Sequence, residues 1–334
     1  MGDRPEVTPA AVIQAHQDAS LAFVRDRADE FAGRSRAENT RRAYRLDWSA
    51  FQLWCSDHGL AAMPAAPETV RLYVTDLARL GRRSSTITRH AASIATAHRR
   101  AGHVPPPTAD PLFRETLSGI RKTLGTAPSK KAPAELSVLQ AMIAATPVSA
   151  DDGRPLPGGI RDRALLLLGF SVFARESELA ALDVGDVVES DEGLRVTIRR
   201  SKTDQEGVSE EVGVPYGSHA QTCPVRALRA WRRVLNAEAG PLFPAVTRWG
   251  RVGARLSPQA VGDIVQRAAS RAGFDPRRFG GHSLRSGGAT AAAKGKAPDR
   301  AIMRQGRWRS ERIARGYIRA GTLFEENAAA FTGL

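Results

Sequence analysis

In the stretch FGGHSLRSGG, residues 279–288, a histidine and an arginine stand three residues apart between two glycine pairs. That spacing is nearly one helical turn, so His282 and Arg285 project from the same face. Both donate hydrogen bonds, and the arginine carries a fixed positive charge. The pair is suited to facing an anion. Gly280 and Gly281, with no Cβ, would let the backbone approach that anion closely. Gly287, Gly288 and Ala289 would allow tight packing behind it.

Other residues suited to binding or attacking a phosphate are spread along the chain. Arg175 lies in FARESELAAL, at the start of a helix, with Glu178 one turn on. Lys202 lies in RRSKTDQ. Trp308 lies in QGRWRSER, and Tyr317 in ARGYIRAG, nine residues further. Each alone has an ordinary explanation. Arg175 would pair with Glu176 or Glu178, a hairpin lysine is usually solvated, and a tryptophan or a late tyrosine usually packs.

The ordered set is another matter. Arg175, Lys202, His282-x-x-Arg285, Trp308 and Tyr317, in this order and spacing, resemble the tyrosine recombinase (phage integrase) family, and within it the Cre-like members. The likeness covers most of the chain. It includes HRRAG (98–102), RSKT (200–203) and LSPQAVGDI (256–264), and is sharpest over 280–319. It implies that Tyr317 attacks a DNA phosphodiester, giving a 3′-phosphotyrosyl bond and a free 5′-hydroxyl. Arg175 and Arg285 would answer the charge that gathers on the non-bridging oxygens, because guanidinium forks match phosphate and keep their protons. His282 would bond the same phosphate and help take the tyrosine proton. Lys202 would protonate the leaving oxygen. Trp308 would pack under the site, and Glu178 would hold its groups in place. A free tyrosine titrates near ~10, so clustered positive charge should ease its ionisation. The covalent bond conserves the phosphodiester energy, so no cofactor, ATP or metal is called for. Three positions depart from the common pattern. Tryptophan stands at 308 where many members have histidine. Arg307 replaces a usual glycine, reaching either DNA or solvent. Ser286 replaces a common histidine, which reads as neutral.

The elements that must position these groups are mostly helical, with one small antiparallel β-sheet. The reading is a two-domain, C-shaped DNA clamp: a helical core-binding domain, 1–124, and a catalytic domain, 138–334, joined by the linker GTAPSKKAPAELS (125–137). Residues 1–10 read as a disordered lead and 11–32 as an amphipathic helix. A helix over 40–59, capped by Asn39 or Thr40, puts Tyr44, Trp48, Phe51 and Trp54 on one face. Further helices start at Pro67 and at Ser84 or Ser85, and another covers 109–124. IRDRALLLLGFSVF (160–173) is apolar all round and reads as a core helix. Strands over 193–200 and 210–215 flank a hairpin loop holding Lys202. Helices follow at 221–237, 257–272, 282–294, 298–306 and 310–318. The C-terminal stretch GTLFEENAAAFTGL is amphipathic; the family resemblance implies that it docks on a neighbouring protomer, and it could equally fold back on its own domain.

Lys and Arg outnumber Asp and Glu by 49 to 35, and the formal net charge of +14 points to a polyanion, nucleic acid first. Arg41, Arg42, Arg45, Arg82, Arg83, Arg89, Arg99 and Arg100 would contact DNA phosphates, and Gln259 would either read a base or be an ordinary first-turn residue of its helix. The two cysteines, Cys55 and Cys223, lie far apart, which argues against a disulfide framework or zinc site. No apolar run reaches membrane-spanning length and the start lacks a signal-peptide core, so a cytoplasmic, nucleoid-associated protein is expected. The expected partner is double-stranded DNA bearing inverted repeats, bound by a homotetramer that is a monomer when free. A type IB topoisomerase and a catalytically silent DNA-binding protein remain as alternatives. The first lacks a reason for the separate helical domain and hairpin, and the second lacks a reason for a complete set of reactive residues.

Overall fold

The computed structural model describes residues 38–126, 131–199 and 209–322, with Leu21, Phe23, Val24, Arg27, Ala329 and Thr332. The chain divides into two units, 1–128 and 129–334. The helix read over 11–32 and the docking tail fall almost wholly outside the described residues, and the loop 200–208 with Lys202 does so entirely.

The first unit is built from α1 (Glu38–Asp57), α2 (Pro67–Arg79), α3 (Ser84–Arg100) and α4 (Pro111–Leu124). Helix α1 runs from Glu38, so Asn39 and Thr40 lie inside its first turn rather than capping it. Helix α2 opens on Pro67, whose fixed φ suits a first turn and whose missing N–H has no partner to lose there. Asp110 caps α4 by accepting from Phe113 N at 2.9 Å. Phe51, Val70, Tyr73, Val74, Ile87, Ile94 and Phe113 fill the core. Beside this core lies a polar cluster. Buried Asp47 takes Arg89 in a two-pronged pair at 2.8 and 3.0 Å and lies 3.1 Å from His90.

In the second unit, residues 131–135 run along the catalytic elements, with Ala132 N donating to Arg278 O and Ala134 N to Ser283 O. Helix α5 (Leu136–Ala144) precedes α6 (Pro157–Ser171). In α6, Ala164 to Leu168 are all buried, as their uninterrupted apolarity requires; each leucine contributes about 1.5–3 kcal/mol over an exposed one. The short α7 (Glu176–Ala181) leads into a sheet of β1 (Val187–Ser190), β2 (Gly193–Ile198) and β3 (Glu210–Pro215), antiparallel in that order. Val187, Val196 and Val212 align across it on the core face. Helix α8 (Pro224–Leu235) buries Trp231, whose indole N–H donates to Leu242 O. A hairpin of β4 (Pro244–Val246) and β5 (Val252–Arg255) precedes α9 (Pro258–Arg271), capped by Ser257. Helices α10 (Gly281–Lys294), α11 (Asp299–Gly306) and α12 (Glu311–Gly321) complete the chain's described part. They close over a small apolar cluster of Phe173, Ala289, Ala293, Ile302, Trp308 and Ala314. Among the described residues no helix is long and apolar enough to cross a membrane.

Candidate active site

The site begins where α7 meets α10. Arg175 stands just before α7, and Glu178 reaches back one turn to it. Glu178 Oε2 accepts from Arg175 N at 2.9 Å, and Oε1 from the Arg175 guanidinium. Burial would pull the Glu178 carboxyl up, but the charge of Arg307 and the backbone N–H and guanidinium of Arg175 outweigh it and hold the carboxyl below the usual range. Glu176 turns the other way. Its Oε1 accepts from Gly281 N at 2.7 Å, tying the start of α7 to the start of α10. A Cβ on Gly281 would sit 1.8 Å from Glu176 Cγ. This glycine therefore admits the glutamate, a correction to the expectation that it opens the backbone to a ligand.

Arg285, in the next turn of α10 after His282, is 1% exposed. It is a buried arginine, not an open fork. Its Nη1 donates to Phe173 O and its Nη2 to Gly306 O at 2.6 Å. Two of its five N–H groups thus fix the plane of the guanidinium. The Trp308 ring lies 4.4 Å from that plane's centre, adding a cation–π contact. Burial first, and then the like charge of Arg175, push its pKa down to about 10. An anion placed against such a charge is strongly favoured. Gly288 lets α10 come close: a Cβ there would lie 2.3 Å from Phe170 O.

His282 is exposed in the first turn of α10, and its Nε2 lies 2.9 Å from the Tyr317 hydroxyl on α12. The Tyr317 ring stacks on Trp308 at 5.1 Å with 25° between planes. Trp308 is thus held between the charge of Arg285 and the ring of Tyr317. Burial raises the Tyr317 pKa above the ordinary phenol value, and the charges of Arg285 and Arg175 only partly offset it. Clustered positive charge was expected to ease ionisation. It does act in that direction, but desolvation wins, and Tyr317 is a neutral phenol at neutral pH.

Of the seven catalytic candidates, Arg175, Glu178, His282, Arg285, Trp308 and Tyr317 come together, while Lys202 lies outside the described residues. Two participants were missed. The sequence offers Glu176 only as an alternative partner of Arg175, whereas it binds Gly281 N. Arg307, expected from the sequence to reach DNA or solvent, is buried and ion-paired to Glu178 at 2.7 Å. The signal for it was present: a long charged side chain where a glycine is usual.

The sequence profile of the phage integrase family matches residues 138–322. The chain belongs to the phage integrase family. An integrase/recombinase xerD homolog of Selenomonas ruminantium is 36% identical over 298 residues, covering 88% of this chain and 85% of the relative. A tyrosine recombinase XerC of Xanthomonas axonopodis pv. citri is 34% identical over 244 residues, covering 71% and 72%. The fold is also that of lambda integrase. A lambda integrase dimer bound to a COC′ core site superposes with a TM-score of 0.60 at 15% identity, over 92% of this chain and 81% of that one. A lambda integrase tetramer bound to a Holliday junction gives 0.58 at 14%, over 96% and 89%. Phage integrases are DNA strand-exchange enzymes, and this chain is one of them.

The basic residues read as DNA contacts in this integrase divide by their partners. Arg42, Arg82, Arg83, Arg99 and Arg100 are exposed. Arg41 and Arg45 share Glu38. Together with Tyr44, Trp48, Thr96 and Arg100 they line a groove of about 530 Å³ between α1 and α3. Arg89 differs, since its fork is occupied by Asp47. Gln259, exposed in the first turn of α9, donates to Asp263 at 2.9 Å.

Proposed function

We propose that this integrase is a site-specific recombinase that cleaves and rejoins duplex DNA through a 3′-phosphotyrosyl bond on Tyr317 and a Holliday junction. The observation that carries the reading is the 2.9 Å approach of His282 Nε2 to the Tyr317 hydroxyl, within the fields of Arg175 and Arg285. In the forward step the Tyr317 oxygen bonds to phosphorus as its proton passes to His282. The phosphorus–O5′ bond breaks, and Lys202 protonates the departing 5′-oxygen. Arg175 and Arg285 stabilise the extra charge on the non-bridging oxygens at the transition state. A 5′-hydroxyl from the partner duplex reverses the step and frees the tyrosine. No bond energy is lost to water, so the reaction needs no external energy source.

The exposed arginines of the first unit would hold the duplex by its phosphates, and Gln259, released from Asp263, would reach a base edge. Four protomers on two inverted-repeat sites would be the working assembly, acting on the DNA of the cytoplasm. The test is covalent capture. Wild type and Tyr317→Phe are incubated with fragmented DNA, denatured, and the attached DNA sequenced. Tyr317-dependent enrichment of one inverted-repeat sequence is the expected result. Tight binding by both proteins with no covalent product would instead identify a silent DNA-binding protein.

A further inference from the structure

Arg307 is the least explained residue of the site. It ends α11 in the left-handed conformation, φ 54° and ψ 44°. For a residue with a Cβ that conformation is strained relative to glycine. The side chain must do something a glycine cannot. It is 2% exposed and holds three segments at once. Nη1 donates to Val172 O at 2.9 Å and Gln305 O at 3.0 Å. Nη2 donates to Glu178 Oε2 at 2.7 Å and, more weakly, to Phe173 O at 3.4 Å. Its Nε has no hydrogen-bond partner among the described residues, with Glu210 Oε2 at 3.9 Å.

Two of these contacts are shared with the residues proposed to bind phosphate. Glu178 Oε2 accepts from both Arg307 and the Arg175 backbone, while Oε1 takes the Arg175 guanidinium. Phe173 O accepts from both Arg307 and Arg285. Arg307 therefore joins the two supports on which Arg175 and Arg285 are aimed. We propose that Arg307 is a positioning residue for DNA cleavage, locking Glu178 and the Phe173 carbonyl so that Arg175 and Arg285 present one rigid cradle to the scissile phosphate. This rests on the phosphotyrosyl reaction proposed above.

The rival explanation is that Arg307 merely caps the end of α6 through Val172 and Phe173 and stabilises the fold. Arg307→Gly separates the two, because glycine relaxes the left-handed backbone while deleting the fork. Arg307→Lys is the second variant, keeping the charge but not the bidentate geometry. Full-length wild type, both variants, Glu178→Gln and the Glu178→Gln/Arg307→Gly double variant are compared on one captured target duplex. Three quantities are read: DNA affinity, thermal midpoint, and the single-turnover rate of covalent adduct formation. The expected result for Arg307→Gly is affinity within about twofold of wild type and a cleavage rate about a hundredfold lower, the scale of a small misplacement of catalytic groups. Guanidinium ion added to that variant should restore part of the rate, and Arg307→Lys should fall between. The double variant should be no slower than the slower single one, as for residues acting through one carboxylate. A wild-type rate in Arg307→Gly would overturn the proposal. So would losses of affinity, midpoint and rate in parallel, with additive effects in the double variant. If wild type itself forms no adduct, the reaction falls first and takes this role with it; an active wild type beside a fully active Arg307→Gly removes this role alone.

Discussion

In the proposed reaction the chemistry turns on Tyr317 and His282, and their environment sets a pH dependence. Burial keeps the phenol above its ordinary pKa despite Arg285 and Arg175, so almost none of it is ionised near neutrality. Attack by a neutral phenol requires a proton acceptor in place, and in the proposed reaction His282, whose Nε2 lies 2.9 Å from the hydroxyl, takes that role. In His282→Ala the proton must go to solvent. The reactive phenolate then grows about tenfold per pH unit while pH stays below the phenol pKa. Single-turnover adduct formation, followed between about pH 6 and pH 9, should be slow and steep in the variant and faster and flatter in wild type. Equal slopes would remove His282 from the proton transfer. The sign follows from a raised acid: its charged form is scarce at low pH and appears as pH rises.

At the scale of elements, the site depends on how closely α10 can lie against α6. Gly288 sets that distance. A methyl group there would stand 2.3 Å from Phe170 O and 2.5 Å from the Phe173 ring. Backbone cannot yield as a flexible side chain does, so Gly288→Ala should destabilise the second unit by about 1–3 kcal/mol. It should also disturb cleavage, because Phe173 carries the carbonyl that holds Arg285. A lowered thermal midpoint checks the first effect; an unchanged midpoint would mean that α10 shifts freely. The element reading from sequence succeeded where pattern is strong. The apolar run of α6, the proline-led starts of α2 and α9, and strands β2 and β3 all lie close to where periodicity and start signals put them. It missed β1, with only four residues, and the β4–β5 hairpin, whose β5 is exposed along its length and has no alternation to detect. It missed α5 because its residues adjoin a proline-rich stretch. The reactive side chains are legible because phosphate chemistry restricts their types and because their order and spacing resemble those of a known family. Their supports are not. Glu176 meeting Gly281 and Arg307 meeting Glu178 join positions 105 and 129 residues apart, which no local pattern encodes.

For the whole molecule, a net charge of +14 makes DNA binding strongly salt-dependent, but not every arginine contributes to that dependence. An arginine that neutralises a phosphate releases a counterion. Replacing it should lower the slope of log affinity against log salt by about 0.9 per contact. Arg99 and Arg100 are exposed at the end of α3, and the Arg99→Gln/Arg100→Gln variant should bind more weakly with a shallower slope. Arg89 lies on the same helix with its side chain still 45% exposed, yet its guanidinium is paired to the buried Asp47. Removing it leaves a buried carboxylate beside His90 and Tyr73 without its ion pair, which destabilises the first unit. Arg89→Gln should therefore lower the thermal midpoint while leaving the salt slope of the folded protein unchanged. Titrations at several salt concentrations, paired with melting curves, distinguish the two kinds of arginine. A slope change in Arg89→Gln equal to that of an exposed arginine would mean that DNA draws Arg89 away from Asp47, and that binding is coupled to rearrangement of the helical core.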